Sequence, residues 1–265
     1  MNILYLDCSS GVSGDMLLAS MAHVLEETAG PGKGFAYLGE ALKSLGIEGF
    51  ELHWSRRKVG GIVTWHVDVE QTGDQPLRTY SDLVRIVRES KLGPESAERA
   101  ISALTLLGQA EAKVHGVGLE EVHFHEIGAV DTIVDVVGAM VLAEALQVSE
   151  VAASPVDLGS GFVQCAHGKM PVPAPACAEL AQELTVFGSD CGMERATPTG
   201  LSILRTLAHG CGPLPMGEVL GVGYGSGGRS SDEQPTYVRA ILLKKVADCP
   251  KNHGHSHPHH HHHHA

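Results

Sequence analysis

The chain has 265 residues and a formal net charge of −12 at neutral pH, with 19 lysines and arginines against 31 aspartates and glutamates. This acidic excess argues against nucleic acid as a main partner, because phosphate backbones are bound by Lys and Arg. No apolar stretch of the sequence is long enough to span a bilayer, so we expect no membrane partner. The six scattered cysteines form no C-x-x-C pair and no signal peptide precedes them, which predicts reduced thiols in the cytoplasm.

Hydrophobic periodicity and glycine or proline breaks give the predicted elements. In chain order, we predict a strand at residues 3–6, helices at 15–25 and 36–45, strands at 50–56 and 62–69, helices at 83–90, 94–113 and 130–146, a strand at 151–157, helices at 175–183 and 198–209, and strands at 219–224 and 237–244. The interleaving of helices and strands predicts an α/β fold, a mixed sheet with flanking helices, in one domain over residues 1–248.

Residues 249–265 form a histidine-rich tail that we expect to be disordered. The tail holds nine of the 17 histidines, and neutral imidazole is a ready ligand for divalent metals. The run at residues 259–264 is also typical of a purification tag, whereas the interrupted run at 253–258 is not. Both origins stay open.

The motif segment, residues 123–135, combines imidazoles and carboxylates within thirteen residues. His123 and His125 are two apart, so both rings point to one side of an extended run, and Glu126 follows them. Asp131 and Asp135 are four apart and share one face of the following helix, which is otherwise apolar. Acids at a helix N-terminus can also serve the helix dipole alone. Two aspartates on a buried helix need partners or a cation, however, so we predict a divalent-metal site.

The amino-terminal loop, residues 7–15, joins a strand to a helix through small residues. Its exposed N–H groups could hold a phosphate, with a magnesium-like ion between phosphate and carboxylates. It matches neither a Walker loop nor the dinucleotide fingerprint. A tight turn in which Ser13 caps the helix is the equal alternative. The candidate ligand-binding residues are Asp7, Ser9, Ser10, Gly11, Ser13, Gly14 and Asp15.

Four further features could serve a site. Thr197 and Thr199 flank a proline at a helix start, where their hydroxyls could face a ligand, although capping is the commoner use. His167, two residues before Lys169, is a lone histidine without special spacing, which is more often structural than catalytic. The glycine-rich run at 221–229 offers flexible backbone and one cation, and is a weak signal for anion binding. Cys8 precedes a helix N-terminus, where a thiol pKa can be lowered.

Four segments together resemble the LarC family of nickel insertion proteins: residues 6–16, the motif segment, residues 171–176 and residues 197–200. The resemblance implies a cyclometallase that inserts nickel into pyridinium-3,5-bisthiocarboxylic acid mononucleotide, using CTP and magnesium or manganese, to make a nickel-pincer cofactor for lactate racemase and related enzymes. Family members continue into a C-terminal domain associated with CTP binding. This chain is then either the first domain alone, working with a partner chain, or a truncated product.

On this resemblance we predict a role for each candidate. His123, His125 and Glu126 hold nickel, while Asp131 and Asp135 hold a second cation or orient the imidazoles. The amino-terminal loop and the two threonines seat the nucleotide, and Lys169 or His167 assists proton removal from the pyridinium carbon. We also expect a homo-oligomer.

Two other functions compete with this prediction. A nickel-storage protein or metallochaperone would rely on the tail and form no bond. A magnesium-dependent phosphohydrolase would release phosphate from simple nucleotides without nickel.

Overall fold

A computed structural model of the chain describes residues 1–122, 129–165, 168–230 and 234–246. The histidine-rich tail lies outside the described residues, and so does residue 248, where the predicted domain ends. The strands are β1 (Asn2–Asp7), β2 (Phe50–Val59), β3 (Ile62–Gln71), β4 (Val148–Ala153), β5 (Val156–Asp157), β6 (Phe162–Cys165), β7 (Gly168–Pro171), β8 (Val186–Phe187), β9 (Gly217–Ser226) and β10 (Tyr237–Lys245). The α-helices are α1 (Gly14–Ala29), α2 (Lys33–Lys43), α3 (Tyr80–Glu89), α4 (Pro94–His115), α5 (Ala129–Ala145), α6 (Pro175–Leu180) and α7 (Pro198–Leu207).

A six-stranded mixed sheet organises the molecule, in the order β2-β3-β9-β10-β1-β4. Strand β1 pairs antiparallel with β10 and parallel with β4, so the first strand of the chain is interior to the sheet. Two small sheets, β5 with β8 and β6 with β7, stand apart from it. This arrangement confirms the predicted α/β class with a mixed sheet and flanking helices.

Helix α1 lies directly on β9 because one face of that strand is made of glycine. A Cβ atom added at Gly223 would stand closer than 3.0 Å to the carbonyl oxygen of Ser20, and one at Gly225 would meet the Met16 carbonyl oxygen in the same way. Real Cβ atoms essentially never approach so closely, so side chains here would push the helix off the sheet. The glycines at 221–225 belong to the run whose composition weakly predicts anion binding. In the structure they allow α1 to pack closely on β9.

Helix α5 runs through the centre of the hydrophobic core. Every residue from Thr132 to Ala143 is buried, and α1, α2, α4 and α7 pack around it. This burial confirms the prediction of a mostly buried helix after the motif segment. Two polar residues of α5, Thr132 and Asp135, are therefore buried together with its apolar residues.

The predicted elements are all present, with shifted ends. The strand predicted at 151–157 is two short strands, because Pro155 has no N–H to donate to a ladder. The hairpin β6–β7 and strand β8 were not predicted. Within the described part of the chain, no helix combines the length and apolar content that a bilayer span requires.

Candidate functional site

Three helices, α1, α5 and α7, begin at the wall of one cavity of about 860 Å³, here called the large cavity. Its volume lies in the range usual for small-molecule sites. Each helix brings the positive end of its dipole to this wall. The described lining residues are Ser13, Gly14, Asp15, Glu111, Val114, His115, Asp131, Thr132, Asp135, Val163, Gln164, Cys165, Met170, Ala174, Pro175, Ala176, Glu194, Thr197, Pro198, Thr199 and Arg229.

The starts of α1 and α7 are held together by backbone contacts between distant parts of the sequence. The N–H of Val12 donates to the carbonyl oxygen of Arg195 at 2.9 Å, and the N–H of Thr197 donates to the carbonyl oxygen of Val12 at 2.9 Å. Gly11 has a φ of +112° and lies directly against the Arg195 carbonyl. A residue with a side chain would be strained there and would also clash.

Helix α5 meets α1 at an equally close contact. A Cβ at Gly14 would lie closer than 3.0 Å to Oδ2 of Asp135, so only glycine fits the first turn of α1 at this separation. The contact brings Asp135 and Asp131 to the same wall as Ser13 and Asp15. Asp131 and Asp135 of the motif segment and Asp15 of the amino-terminal loop therefore share one cavity.

Three buried oxygens of α5 at this wall have no hydrogen-bond partner among the described residues: Oδ1 of Asp131, Oγ1 of Thr132 and Oδ1 of Asp135. Thr132 is 1% exposed and Asp135 is 9% exposed. Unpartnered buried oxygens are costly, and carboxylates in particular need a donor, a proton or a cation.

The pKa shifts of the two aspartates follow from this enclosure. Burial, followed by the charges of Asp15 and Asp131, raises the pKa of Asp135 well above its ordinary value. Burial also raises the pKa of Asp131, with contributions from Asp68 and Asp15. Burial and like charge both disfavour ionisation, so each acid would accept a proton more readily than usual. A bound cation would reverse that preference.

The described residues alone contain no group of three or more His, Cys, Asp or Glu side chains arranged to hold a metal ion. His123, His125 and Glu126 lie outside the described residues, immediately before α5. The all-oxygen set on α5 suits a hard cation such as magnesium or manganese. These three oxygens alone do not make up a metal site within the described part.

Ser13 and Asp15 line the large cavity, but not as a simple helix cap. Ser13 stands at the cap position of α1, yet its hydroxyl makes no capping hydrogen bond and instead donates to Oδ1 of Asp15. The other oxygen, Oδ2 of Asp15, accepts from the N–H of Gly228 at 3.1 Å. Ser13 is therefore the N-cap residue of α1, as the alternative predicted, but without a side-chain capping bond, and Asp15 ties the start of α1 to the loop after β9.

The first part of the amino-terminal loop is directed elsewhere. Oδ2 of Asp7 accepts from Arg239 at 2.6 Å, and its Oδ1 accepts from the Ser9 hydroxyl at 2.5 Å. Partial burial would raise the pKa of Asp7, but the hydrogen bonds from Ser9 and the charge of Arg239 outweigh it and leave that pKa below its ordinary value. Ser10 exchanges hydrogen bonds with the backbone of Tyr237. Asp7, Ser9, Ser10 and Gly11 are not among the described lining residues of the large cavity.

Cys8 corrects an expectation. Its side chain is fully buried, and burial strongly raises the pKa of its thiol, so the thiolate is disfavoured. The lowered pKa considered from its position before a helix is therefore wrong, because the thiol lies in the core instead of facing the N-terminus of α1.

The two threonines differ in role. The hydroxyl of Thr197 accepts from the N–H of Gly200 at 3.2 Å, so it caps α7, as the commoner alternative proposed. Thr199 is 7% exposed, and both residues line the large cavity. Lys169 lies on β7 with its ammonium nitrogen 4.6 Å from the centre of the Phe162 ring and does not line that cavity. His167 lies outside the described residues.

Sequence reasoning missed several residues of the site. Glu111 and His115 on α4 line the large cavity, as do Cys165 on β6 and Glu194 and Arg229. Glu111 and His115 are four apart on one helical face, which is the one signal that could have drawn attention to them.

A smaller cavity of about 250 Å³, here called the small cavity, adjoins the large one. Five residues line both cavities: Ser13, Asp15, Glu194, Thr197 and Arg229. At this boundary the Arg229 guanidinium lies 2.9 Å from Oε2 of Glu194. The other described residues of the small cavity are Met16, Met193, Arg195, Gly227, Gly228, Ser230 and Thr236.

Comparison with known proteins gives a consistent result. Residues 4–263 match the family model described as nickel insertion protein. A putative nickel insertion protein of Desulfotalea psychrophila is 42% identical over 241 residues, covering 91% of this chain and 60% of that protein. The pyridinium-3,5-bisthiocarboxylic acid mononucleotide nickel insertion protein of Geobacillus kaustophilus is 36% identical over 252 residues, covering 91% and 60%.

A further relative, the putative nickel insertion protein of Geobacter metallireducens, is 41% identical over 244 residues, with 91% of this chain and 61% of that protein covered. This chain thus spans about three fifths of the length of the curated relatives that it matches. No solved structure matches it significantly. The matches confirm the resemblance drawn from the four motifs, and the chain belongs to the nickel insertion protein family.

Proposed function

We propose that this chain carries out nickel insertion into pyridinium-3,5-bisthiocarboxylic acid mononucleotide, the substrate named for its Geobacillus kaustophilus relative. One observation carries the proposal: unpartnered buried oxygens on α5 face a cavity of about 860 Å³ at which three helices begin. Such a cavity suits a nucleotide and a cation together. The reaction is a cyclometallation, in which the pyridinium carbon loses a proton as nickel bonds to it.

Nickel is a substrate here, and we assign its binding to His123, His125 and Glu126. Imidazole nitrogen and carboxylate oxygen are both suitable nickel ligands. The segment that carries them ends where α5 begins, at the wall that presents Asp131 and Asp135. These two aspartates either hold a second cation or orient the imidazoles.

The second cation is magnesium or manganese in this proposal. Oδ1 of Asp131, Oγ1 of Thr132 and Oδ1 of Asp135 fit such an ion because hard cations take oxygen ligands. When bound, the ion would neutralise carboxylate and phosphate charge. Its remaining ligands would come from Asp15, from the motif segment or from the nucleotide.

The nucleotide is proposed to lie along the starts of α1 and α7. Ser13, Gly14, Asp15, Thr197 and Thr199 line the large cavity and can contact it directly. The remaining residues of the amino-terminal loop, Asp7, Ser9, Ser10 and Gly11, serve this site by fixing the turn through their contacts with Arg239, Tyr237 and Arg195.

The proton leaves the pyridinium carbon with the help of His167 or Lys169 in this proposal. Both belong to the β6–β7 hairpin and its connection, and β6 contributes Val163, Gln164 and Cys165 to the cavity wall. A general base must reach the proton that it removes. Movement of the hairpin on substrate binding would bring Lys169 inward from Phe162.

The proposal has five further parts. The reaction depends on CTP, a separate chain supplies the C-terminal domain, and the product passes to a nickel-pincer-dependent racemase. The chain forms a homo-oligomer and is located in the cytoplasm. The curated relatives have residues beyond the part that this chain matches, and the proposal assigns the action of CTP to such a second domain.

Anaerobic incubation of the chain with the thiolated mononucleotide, nickel, CTP and magnesium tests the proposal. Mass spectrometry should detect the nickel adduct, with and without the C-terminal part of a relative added as a second chain. Absence of the adduct under both conditions, with nickel bound and the nucleotide unchanged, would contradict the proposal and favour the storage alternative. Phosphate release from simple nucleotides without nickel would favour the phosphohydrolase.

A further inference from the structure

The large cavity carries a strong imbalance of charge. Asp15, Glu111, Asp131, Asp135 and Glu194 line it, whereas Arg229 is the only Lys or Arg among its described lining residues. A phosphate that entered on the side of the aspartates would be repelled unless a cation stood between them. Arg229 therefore marks the part of the wall where an anionic group can enter favourably.

Arg229 is held at the boundary of the two cavities by a more enclosed partner. Its side chain is 66% exposed, whereas that of Glu194 is 8% exposed, and the pair is joined through Nη1 at 2.9 Å. A guanidinium has five N–H donors in a planar fork, so this contact leaves further N–H groups for a second acceptor. Glu194 can thus orient the guanidinium without using up its donors.

The small cavity behind Arg229 is lined by two arginines, Arg195 and Arg229, and by two acids, Asp15 and Glu194. The side chain of Arg195 is only 12% exposed, and its Nε lies 3.4 Å from Oδ2 of Asp157. Both acids already have a donor, because Glu194 pairs with Arg229 and Asp15 accepts from the N–H of Gly228. Gly228 leaves open space beside Arg229, because an added Cβ there would meet nothing within 4 Å. Arg229 is therefore the charged side chain of this cavity that an anionic ligand can contact.

We propose that the small cavity is the phosphate subsite of the nucleotide, with Arg229 contacting the phosphate and Glu194 as its positioning residue. This inference rests on the proposed function, which supplies a phosphate monoester. Arginine matches phosphate oxygens in a bidentate fork, which a lysine cannot do. The two cavities share a boundary, so a phosphate in the small cavity places the pyridinium ring in the large one, beside the aspartates.

A cytidine nucleotide offers the same phosphate chemistry. The small size of the cavity and its position beside the aspartates of α5 favour the monoester of the mononucleotide. Competition by CTP separates the two sources, because CTP bound in this subsite would displace the mononucleotide.

The test measures affinity of the full chain for the thiolated mononucleotide and for its dephosphorylated riboside, by titration calorimetry with magnesium and without nickel or CTP. The wild type should bind the mononucleotide more tightly than the riboside. Arg229→Gln should weaken mononucleotide binding by about 10- to 100-fold, the usual scale for a lost charged hydrogen bond, and leave riboside binding unchanged. Arg229→Lys should lose less affinity for the mononucleotide than Arg229→Gln does, because it keeps the charge without the fork of N–H donors.

Matched variants separate the contact from general effects. Arg85→Gln is the control, because Arg85 is 63% exposed and makes one comparable ion pair, with Asp82, on α3. It should leave both affinities unchanged. Glu194→Gln should reduce the preference for the mononucleotide over the riboside, whereas Glu194→Asp should retain part of that preference. Both variants should have the thermal stability of the wild type.

Three results would overturn the inference. An unchanged mononucleotide-to-riboside preference in Arg229→Gln would remove Arg229 from the subsite while leaving the proposed function intact. Equal loss of both ligands in that variant would indicate a general effect on folding or charge. Failure of the wild type to bind either ligand would reject the proposed function and the subsite together.

Discussion

Gly14 and Asp135 touch across the junction of α1 and α5, with the Gly14 Cα facing the carboxylate so closely that no Cβ could be accommodated. The contact joins the amino-terminal loop to the acids of the motif segment, which are about 120 positions apart in the sequence. It is also the point at which the wall of the large cavity passes from one helix to the next. Substitutions at this junction should therefore affect both stability and cation binding.

Gly14→Ala should destabilise the chain by about 1–3 kcal/mol, because the methyl group must displace the Asp135 carboxylate or separate the helices. Gly39→Ala is the matched control: Gly39 lies within α2, and an added Cβ meets nothing within 4 Å. That variant should be more stable by about 0.5–1 kcal/mol, the helix-propensity gain of alanine. Urea denaturation measures both, and equal stabilities for Gly14→Ala and wild type would contradict the close contact.

Gly223→Ala tests the packing of α1 on β9. The methyl group would run into the Ser20 carbonyl, which is backbone and cannot rotate away, so we expect a loss of at least about 2–3 kcal/mol. Gly210→Ala serves as the comparison, since its added Cβ meets nothing within 4 Å. If both variants unfolded at the same urea concentration as the wild type, β9 would not be in contact with α1 as described.

Asp135 should make the metal-free chain less stable as pH rises. Its pKa is raised in the folded chain from an ordinary value of 3.8, so above that value the unfolded chain releases a proton that the folded chain keeps. The free energy of unfolding therefore falls with increasing pH until the folded-state pKa is passed. Asp135→Asn removes the titrating carboxyl and with it this pH dependence. Between about pH 5 and pH 8, in the presence of a chelator, the free energy of unfolding of the variant should therefore rise relative to that of the wild type.

The control for this pH experiment is Asp74→Asn, in the loop between β3 and α3. It should keep the slope of the wild type. Parallel curves for wild type and Asp135→Asn would show that the Asp135 carboxyl is ionised normally, against the raised pKa.

Magnesium or manganese should stabilise the chain through the oxygens of α5. An ion at a concentration of 100 times its dissociation constant adds about 2.7 kcal/mol to the free energy of unfolding. Thermal denaturation of a chain that lacks residues 252–265 excludes binding by the tail. Asp131→Asn with Asp135→Asn should abolish the shift in Tm, and the Asp74→Asn variant should retain it. A full shift in the double variant would place the cation elsewhere.

Deletion of residues 252–265 separates nickel insertion from nickel storage. The proposed function requires that the shortened chain still bind nickel stoichiometrically and that His123→Ala combined with His125→Ala abolish this binding. Equilibrium dialysis with radioactive nickel gives the stoichiometry. Loss of all nickel binding on deletion would instead identify the tail as the functional metal site.

Local patterns predicted the elements well and the site only in part. The strand at 3–6 and the buried helix after the motif segment follow from periodicity that the core then satisfies. The alternating glycines of β9 suggested anion binding, because their function depends on α1, which no local pattern relates to that strand. Pro155 divided a predicted strand by removing one ladder donor.

Within the candidate site, too, local spacing predicted some neighbours and missed those that depend on contacts between distant segments. Spacing alone grouped Asp131 with Asp135, and both line the large cavity. The sequence also grouped Asp7 with Asp15. In the structure Asp7 pairs with Arg239 and is not among the described residues that line the large cavity. Arg229 ends the glycine-rich run that weakly predicts anion binding, but its pairing with Glu194 could not be predicted, because it joins segments 35 residues apart that share no repeat or period.

The pairing of β1 with β10 joins Asn2 to Lys244, and the hydrogen bond from Val12 to Arg195 joins the amino-terminal loop to the start of α7. On the ribosome, the amino-terminal residues emerge long before these partners exist. A nascent chain therefore has no complete wall around the aspartates of α5 until nearly all of the domain has been synthesised. The complete cavity wall is therefore a property of the folded domain and cannot form on its amino-terminal half alone.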